Sequence, residues 1–157
     1  MRVVIDTSGL IYLNYFRSFE EIFTVPEVIE EVKDKLTSLK VSGLNLKVEN
    51  PSRESIKEVK KIAKETGDLE KLSKTDVKLL ALAKEKELLI VSDDRNIQNV
   101  AERMGIKYIS IFSKKISKLI IWKKYCKNCK KFFEGTACPV CGRKLIKIPE
   151  TTKNIVG

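Results

Sequence analysis

Four cysteines and a handful of acids are the residues of this 157-residue chain that could do chemistry, and there is no histidine anywhere. Cys126-Lys-Asn-Cys129 and Cys138-Pro-Val-Cys141 form two Cys-x-x-Cys turns a short loop apart. Two such turns can bring four thiolates to the corners of a tetrahedron, which is the arrangement zinc takes in structural sites. With histidine absent, the ligand set can only be four sulfurs. A site of that kind has no open position for water, so a zinc here would fold a small module and do no chemistry. The competing arrangement is two disulfides in a secreted protein. Met1-Arg-Val-Val-Ile-Asp6 lacks the apolar core and cleavage site of a signal peptide, so one structural zinc is the expectation.

The missing histidine also narrows the chemistry. It excludes a Ser-His-Asp triad and a Cys-His nucleophile. No Gly-x-Gly-x-x-Gly or Walker-type loop is present, so no nucleotide cofactor is expected. What remains is carboxylate chemistry. Asp6, Asp76, Asp93 and Asp94 sit beside breaks in the apolar pattern, and Glu27, Glu30 and Glu31 follow Pro26. Clustered carboxylates repel one another unless positive charge lies between them, and hard oxygen ligands suit Mg²⁺ or Mn²⁺. In an enzyme of this composition, the attacking group is water activated by such an ion.

The elements that must position these acids can be read from the apolar spacing. Arg2–Ile5 reads as a short buried strand that breaks at Asp6-Thr7-Ser8-Gly9, with a helical stretch over Leu10–Phe16. Pro26 suits a first helical position, and Val25, Val28, Ile29, Val32 and Leu36 make an apolar stripe. Leu44–Val48 alternates like a strand. Ser52 opens a helix with Ile56, Val59, Lys60 and Ala63 on one side and Gly67 as its stop. Ser73-Lys-Thr-Asp76 is a capping pattern before a helix over Val77–Lys86. Leu88–Val91 is an apolar strand, a helix runs to Met104 with Gly105 as its cap, and Ile106–Ile111 is a last strand. Strands alternating with helices predict an open parallel α/β sheet covered by helices on both faces. Ligands of such sheets bind beyond the carboxyl ends of the strands, where Asp6 and Asp93-Asp94 fall. Each acid also has a plainer role open to it, as a helix cap or a turn residue.

The charge is unevenly placed. Residues 1–113 balance to zero, so the whole net charge of +10 sits in residues 114–157. A strongly basic module beside a neutral domain points to a polyanion partner. Lys114, Lys115, Lys118, Lys123, Lys124, Lys127, Lys130, Lys131, Arg143, Lys144 and Lys147 can pair with phosphates. Trp122, Tyr125, Phe132 and Phe133 offer rings for unpaired bases, although a small module also needs apolar filling, and Trp122 can equally anchor the segment. The expected organisation is a parallel α/β unit over 1–113, a basic linker over 114–124, a zinc ribbon over 125–150 and a tail over 151–157. No apolar run is long enough to span a membrane, and a cytoplasmic protein is expected.

Several of these stretches resemble the PIN-domain family: Val3-Val-Ile-Asp6-Thr-Ser, Val25-Pro-x-Val-Ile-x-Glu31, Thr75-Asp76 opening a helix, and Ser92-x-Asp94. The resemblance covers roughly the first 111 residues and implies a metal-dependent endoribonuclease. Together with the four cysteines, Phe23–Asp34, Lys64-Glu-Thr-Gly-Asp68, Leu72-Ser-Lys-Thr-Asp76 and Ile97–Gly105 are similar to the Nin-one-binding ribosome-biogenesis nucleases of archaea and eukaryotes. That resemblance implies cleavage of precursor rRNA at the 3′ end of small-subunit rRNA, with the small-subunit precursor as partner. Carried over by position, it assigns Asp6, Glu31, Asp76 and Asp94 to one or two Mg²⁺ or Mn²⁺ ions. Asp94 is chosen over Asp93, and Glu31 over Glu30, on the family spacing alone. Ser8 and Asp93 would support them, Ser8 by orienting a water. The alternative from another class is a non-catalytic rRNA-binding assembly factor whose acids are only structural.

Overall fold

A computed structural model describes residues 1–12, 19–33 and 45–155. Its centre is a strand of four residues, β1 (Arg2–Ile5), with β2 (Glu21–Thr24) and β4 (Leu89–Val91) on its two sides. Outside these lie β3 (Leu46–Val48) and β5 (Tyr108–Ile109), and every pairing in the order β3-β2-β1-β4-β5 is parallel. Val3, Val4 and Ile5 are all buried. Because consecutive side chains leave a strand on opposite faces, both faces of the sheet are covered. The covering helices are α1 (Thr7–Ile11), α2 (Pro26–Val32), α3 (Arg53–Thr66), α4 (Lys74–Lys86) and α5 (Arg95–Met104).

The helix boundaries follow their capping chemistry. Ser52 caps α3 and Gly67 ends it at φ +79°, Ser73 and Asp76 form a capping box on α4, and Gly105 ends α5 at φ +72°. Several boundaries differ from the sequence reading, and α4 begins at Lys74 rather than Val77 because Ser73 is its N-cap. α1 begins at Thr7 rather than Leu10, because the Asp6 side chain caps it by accepting from the Gly9 N–H. Leu88 precedes β4, since its N–H closes the α4 terminus onto Ala83 O at 2.9 Å. The last parallel strand is only Tyr108–Ile109, because the next amides turn aside to the Asp93 carboxylate. Leu36, Leu44 and residues 13–16 of the expected helical stretch lie outside the described residues.

A second sheet holds the basic end of the chain. β6 (Lys118–Cys126) pairs antiparallel with β8 (Ile146–Asn154) along its length, and with the short β7 (Lys131–Phe132). From Lys118 onward the segment expected as a basic linker is therefore strand, and the expected tail is strand as far as Asn154. Leu119, Ile120, Ile121 and Trp122 account for this, since their apolar, β-branched and aromatic side chains favour a strand. This sheet sits against the parallel α/β unit, with β6 packed on α3 and α5. Among the described residues, no helix is long and apolar enough to cross a membrane.

Candidate active site and four-cysteine cluster

Four different elements deliver acids to one cavity of about 370 Å³, lined by Asp6, Thr7, Ser8, Glu31, Ser73, Thr75, Asp76, Asp93 and Asp94 with Leu79 and Ile97. Asp6 follows β1 and Asp94 follows β4, at the carboxyl ends of adjacent strands. Three of these acids also cap helices. Asp6 Oδ1 accepts from Gly9 N–H at 2.7 Å, Asp94 Oδ1 from Asn96 N–H at 2.8 Å, and Asp76 Oδ2 from Ser73 N–H at 2.8 Å. Capping and lining the cavity are thus not alternatives here. The cap uses one oxygen and thereby sets the direction of the carboxylate.

Glu31 is aimed by two hydroxyls, because Thr7 Oγ1 and Thr75 Oγ1 both donate to its carboxylate, the latter at 3.2 Å. Glu30, one residue earlier, is 73% exposed and stands 3.9 Å from Lys33. The geometry thus separates two neighbours that their distance from the apolar stripe could not. Glu27 is drawn elsewhere, into an ion pair with Lys78. Asp93 reaches the cavity wall, but its carboxylate accepts from the N–H groups of Ile111 at 2.6 Å and Phe112 at 3.1 Å. It therefore holds the chain after β5 in place. Ser8 lines the cavity at the start of α1.

The electrostatics of the cavity are unbalanced. Burial pushes the Asp6 carboxyl above the usual carboxylate range, and the charges of Asp76 and Asp93 push it further. Burial does the same to Asp76, with Asp94 and Glu31 adding to it. Among the described residues, no lysine or arginine forms an ion pair with Asp6, Glu31, Asp76, Asp93 or Asp94. Crowded carboxylates without cationic partners are a donor set that fits a hard divalent cation.

The four thiols lie in the second sheet. Their sulfurs are all within 4.8 Å of one another, and no other group of possible ligands among the described residues is so tight. The carboxylates of the acid cavity are therefore spaced more widely. Cys126 and Cys141 have sulfurs 3.5 Å apart, Cys129 and Cys138 3.8 Å apart, and all four cysteines are free. A disulfide would need about 2.05 Å. Each Cys-x-x-Cys turn closes in the same way, with Lys130 N–H on Cys126 O at 2.8 Å and Gly142 N–H on Cys138 O at 2.9 Å. Lys130 and Gly142 both take positive φ to do so. Among the described residues only Leu145 and the half-buried Phe133 pack in the apolar cluster with the cysteines, a core too small to hold a module unaided. Backbone N–H from Arg143 draws the Cys141 thiol down to about 6, toward the thiolate that a metal binds.

The aromatic residues divide as their surroundings dictate. Phe133 fills the cysteine core, while Phe132 is exposed and packs against the Tyr125 ring at 5.2 Å. Trp122 is half-buried against Gly67, where a Cβ would lie 2.3 Å from Trp122 O. The sequence reading missed Thr7 and Thr75 as the residues that aim Glu31, and missed Asp68, Gln98 and Asn99 beneath the second sheet. Gln98 and Asn99 did leave a signal, as two polar residues between Ile97 and Val100 in a helix that is otherwise apolar there.

Comparison with known proteins agrees with this fold. A family profile described as "PIN domain of ribonuclease" matches residues 3–86. The chain is 42% identical over 148 residues to the endoribonuclease Nob1 of Archaeoglobus fulgidus, spanning 91% of this chain and 88% of the relative. It is 41% identical over 143 residues to the endoribonuclease Nob1 of Pyrococcus abyssi, spanning 85% and 88%. A 20S-pre-rRNA D-site endonuclease of Schizosaccharomyces pombe is 37% identical over 90 residues, which is 55% of this chain and 23% of that one. The chain belongs to the PIN-domain ribonucleases and, among them, to the Nob1 endoribonuclease family.

Proposed function

We propose that this chain cuts precursor rRNA at the 3′ end of small-subunit rRNA, with its acid cavity as the cutting site and its basic second sheet as the RNA grip. The observation that carries the reading is the delivery of Asp6, Glu31, Asp76 and Asp94 from four elements into one cavity without a cationic partner. The name of the S. pombe relative, a 20S-pre-rRNA D-site endonuclease, supports precursor rRNA as the substrate.

In this reading Asp6, Glu31, Asp76 and Asp94 hold one or two Mg²⁺ or Mn²⁺ ions, directly or through water. When bound, the ions lower the pKa of the attacking water and offset charge developing on the phosphate. The protein's own part is to hold the carboxylates in place. The helix caps fix Asp6, Asp76 and Asp94, Thr7 and Thr75 fix Glu31, and Ser8 stands where its hydroxyl can orient a water. Asp93 supports the wall by holding the backbone of residues 111–113. Burial, with neighbouring acids adding to it, raises the carboxyl pKa values of Asp6 and Asp76, and a bound cation would lower them.

The four sulfurs take one structural zinc. Ligands about 2.3 Å from a tetrahedral zinc stand about 3.8 Å apart, close to the sulfur separations seen here. Lys114, Lys115, Lys118, Lys123, Lys124, Lys127, Lys130, Lys131, Arg143, Lys144 and Lys147 then contact phosphates, giving affinity without base preference. The small-subunit precursor is the physiological partner, and the cytoplasm is the expected site of action.

The test is cleavage of labelled RNA spanning the 3′ end of small-subunit rRNA, with Mn²⁺, Mg²⁺ or EDTA, by wild type and Asp6→Asn. A single cut that needs both metal and Asp6 is expected. Tight binding with no metal-dependent cut, on RNA and on precursor particles alike, would favour the assembly-factor alternative.

A further inference from the structure

The second sheet is pinned to the nuclease domain by buried amides. Asn99, on α5 and 5% exposed, pairs with both main-chain groups of Ile120 in β6. Its Nδ2 donates to Ile120 O at 2.8 Å, and its Oδ1 accepts from Ile120 N–H at 2.8 Å. The same Nδ2 donates to Asp68 Oδ2 at 2.7 Å, and Asp68 is itself 1% exposed and held by Thr66 Oγ1 at 2.7 Å. Beside it the fully buried Gln98 accepts from Ile116 N–H at 3.0 Å and donates to Ser92 O and Ser110 Oγ. Gly67 closes the contact, since nothing larger than hydrogen fits against Trp122 there. A side-chain amide that completes a strand's hydrogen bonds dictates orientation as well as proximity, because each bond has a narrow geometry. Loss of it strips the Ile120 main chain of these two partners and leaves the buried Asp68 carboxylate with Thr66 alone. These amides also lie about one turn beyond Asp94, the cap of α5 that lines the acid cavity.

We infer that Asn99 and Asp68 are positioning residues that hold the four-cysteine module at one distance and orientation from the acid cavity, so that RNA gripped by the module presents one particular phosphate to the acids. The inference rests on the reading that the acids cut and the module grips. A module swinging on a free tether would add affinity at a lower effective concentration and would offer many phosphates. A docked one measures off the cut.

The experiment compares wild type with Asn99→Ala, as full chains with their metals. One substrate is a short single-stranded RNA that reaches only the acid cavity, and the other is a long RNA that reaches the module too. The variant is expected to cut the short RNA as wild type does, to show a KM for the long RNA raised about 10–100-fold, and to scatter its cuts over neighbouring phosphates. Unchanged long-RNA KM and cut position would overturn the inference, as would equal loss on both substrates, which marks a merely structural residue. Backbone ¹⁵N relaxation of the wild type gives a second reading that needs no variant. One tumbling time for both modules is expected, and independent tumbling of residues 118–154 would overturn the docking. A wild type that cuts neither RNA would refute the nuclease reading instead, and the relaxation result would still decide the docking.

Discussion

Gly9 provides a way to move the Asp6 carboxylate without touching it. It lies within α1, and a Cβ there would stand 2.6 Å from Ile5 Cγ2, 3.2 Å from Asp6 Oδ1 and 3.5 Å from Val91 O. Ile5 is fully buried at the centre of the sheet and cannot swing away. In Gly9→Ala, ordinary carbon contact therefore requires α1 to back away from β1 by about 1 Å. Asp6 accepts from the Gly9 N–H and moves with it. A displacement near 1 Å at a reacting group costs roughly 10²-fold in rate, so kcat/KM for RNA cleavage should fall about 10- to 100-fold. Overpacking costs about 1–3 kcal/mol, and the better helix propensity of Ala returns up to about 1 kcal/mol. At about 2–4 °C per kcal/mol for a chain of this size, Tm should fall by no more than about 12 °C. Gly105→Ala is the matched control. It faces open space at φ +72°, so it costs about 1–2 kcal/mol of left-handed strain. It lies about 15 Å along α5 from Asp94. The measurement is initial cleavage rate in Mn²⁺ beside a thermal melt for both variants. Wild-type rates in Gly9→Ala, or equal rate losses in the two variants, would refute the reasoning.

Three further outcomes follow from the same geometry. Glu31→Gln should lower cleavage by about 10²-fold or more while Glu30→Gln leaves it unchanged, because only Glu31 is held in the cavity; equal effects in a side-by-side rate assay would count against the assignment. Because Asp6 and Asp76 have carboxyl pKa values raised in the folded state, the folded chain holds more protons than the unfolded one, and metal-free stability should fall as pH rises from about 4 through the raised values. Saturating Mn²⁺ at about 100 times its Kd should restore about 2.7 kcal/mol in wild type and much less in Asp6→Asn, read by denaturant melts across pH; a flat metal-free profile would contradict the crowding. Elemental analysis should find one zinc per chain, and its removal should unfold residues 126–145 and abolish tight RNA binding, whereas a chain free of zinc with four titratable thiols and intact binding would disprove the structural role.

The elements were legible where local chemistry decides them. Ser52, Ser73, Gly67 and Gly105 mark their helix ends through hydrogen bonds made within a few residues, and the structure uses each as read. The boundaries that moved did so for non-local reasons. The strand expected over Ile106–Ile111 shrinks to Tyr108–Ile109 because Asp93, remote in sequence, takes the next amides. The segment expected as a linker joins a sheet because its strand partner, Ile146–Asn154, lies beyond both cysteine pairs.

By itself the sequence determined the parallel α/β unit, the pairing of the cysteines into two turns, and the fall of Asp6 and of Asp93-Asp94 just after apolar strands. These depend on periodicity, on capping and on spacings of a few residues, all of which are local. Only the tertiary structure separated Glu31 from Glu30, since the distinguishing partners are Thr7 and Thr75 on other elements. It likewise separated Asp93, bound to a neighbouring backbone, from Asp94. It also showed the basic end docked through Asn99 and Asp68, because the value of a buried amide depends on which main-chain groups the fold brings to it.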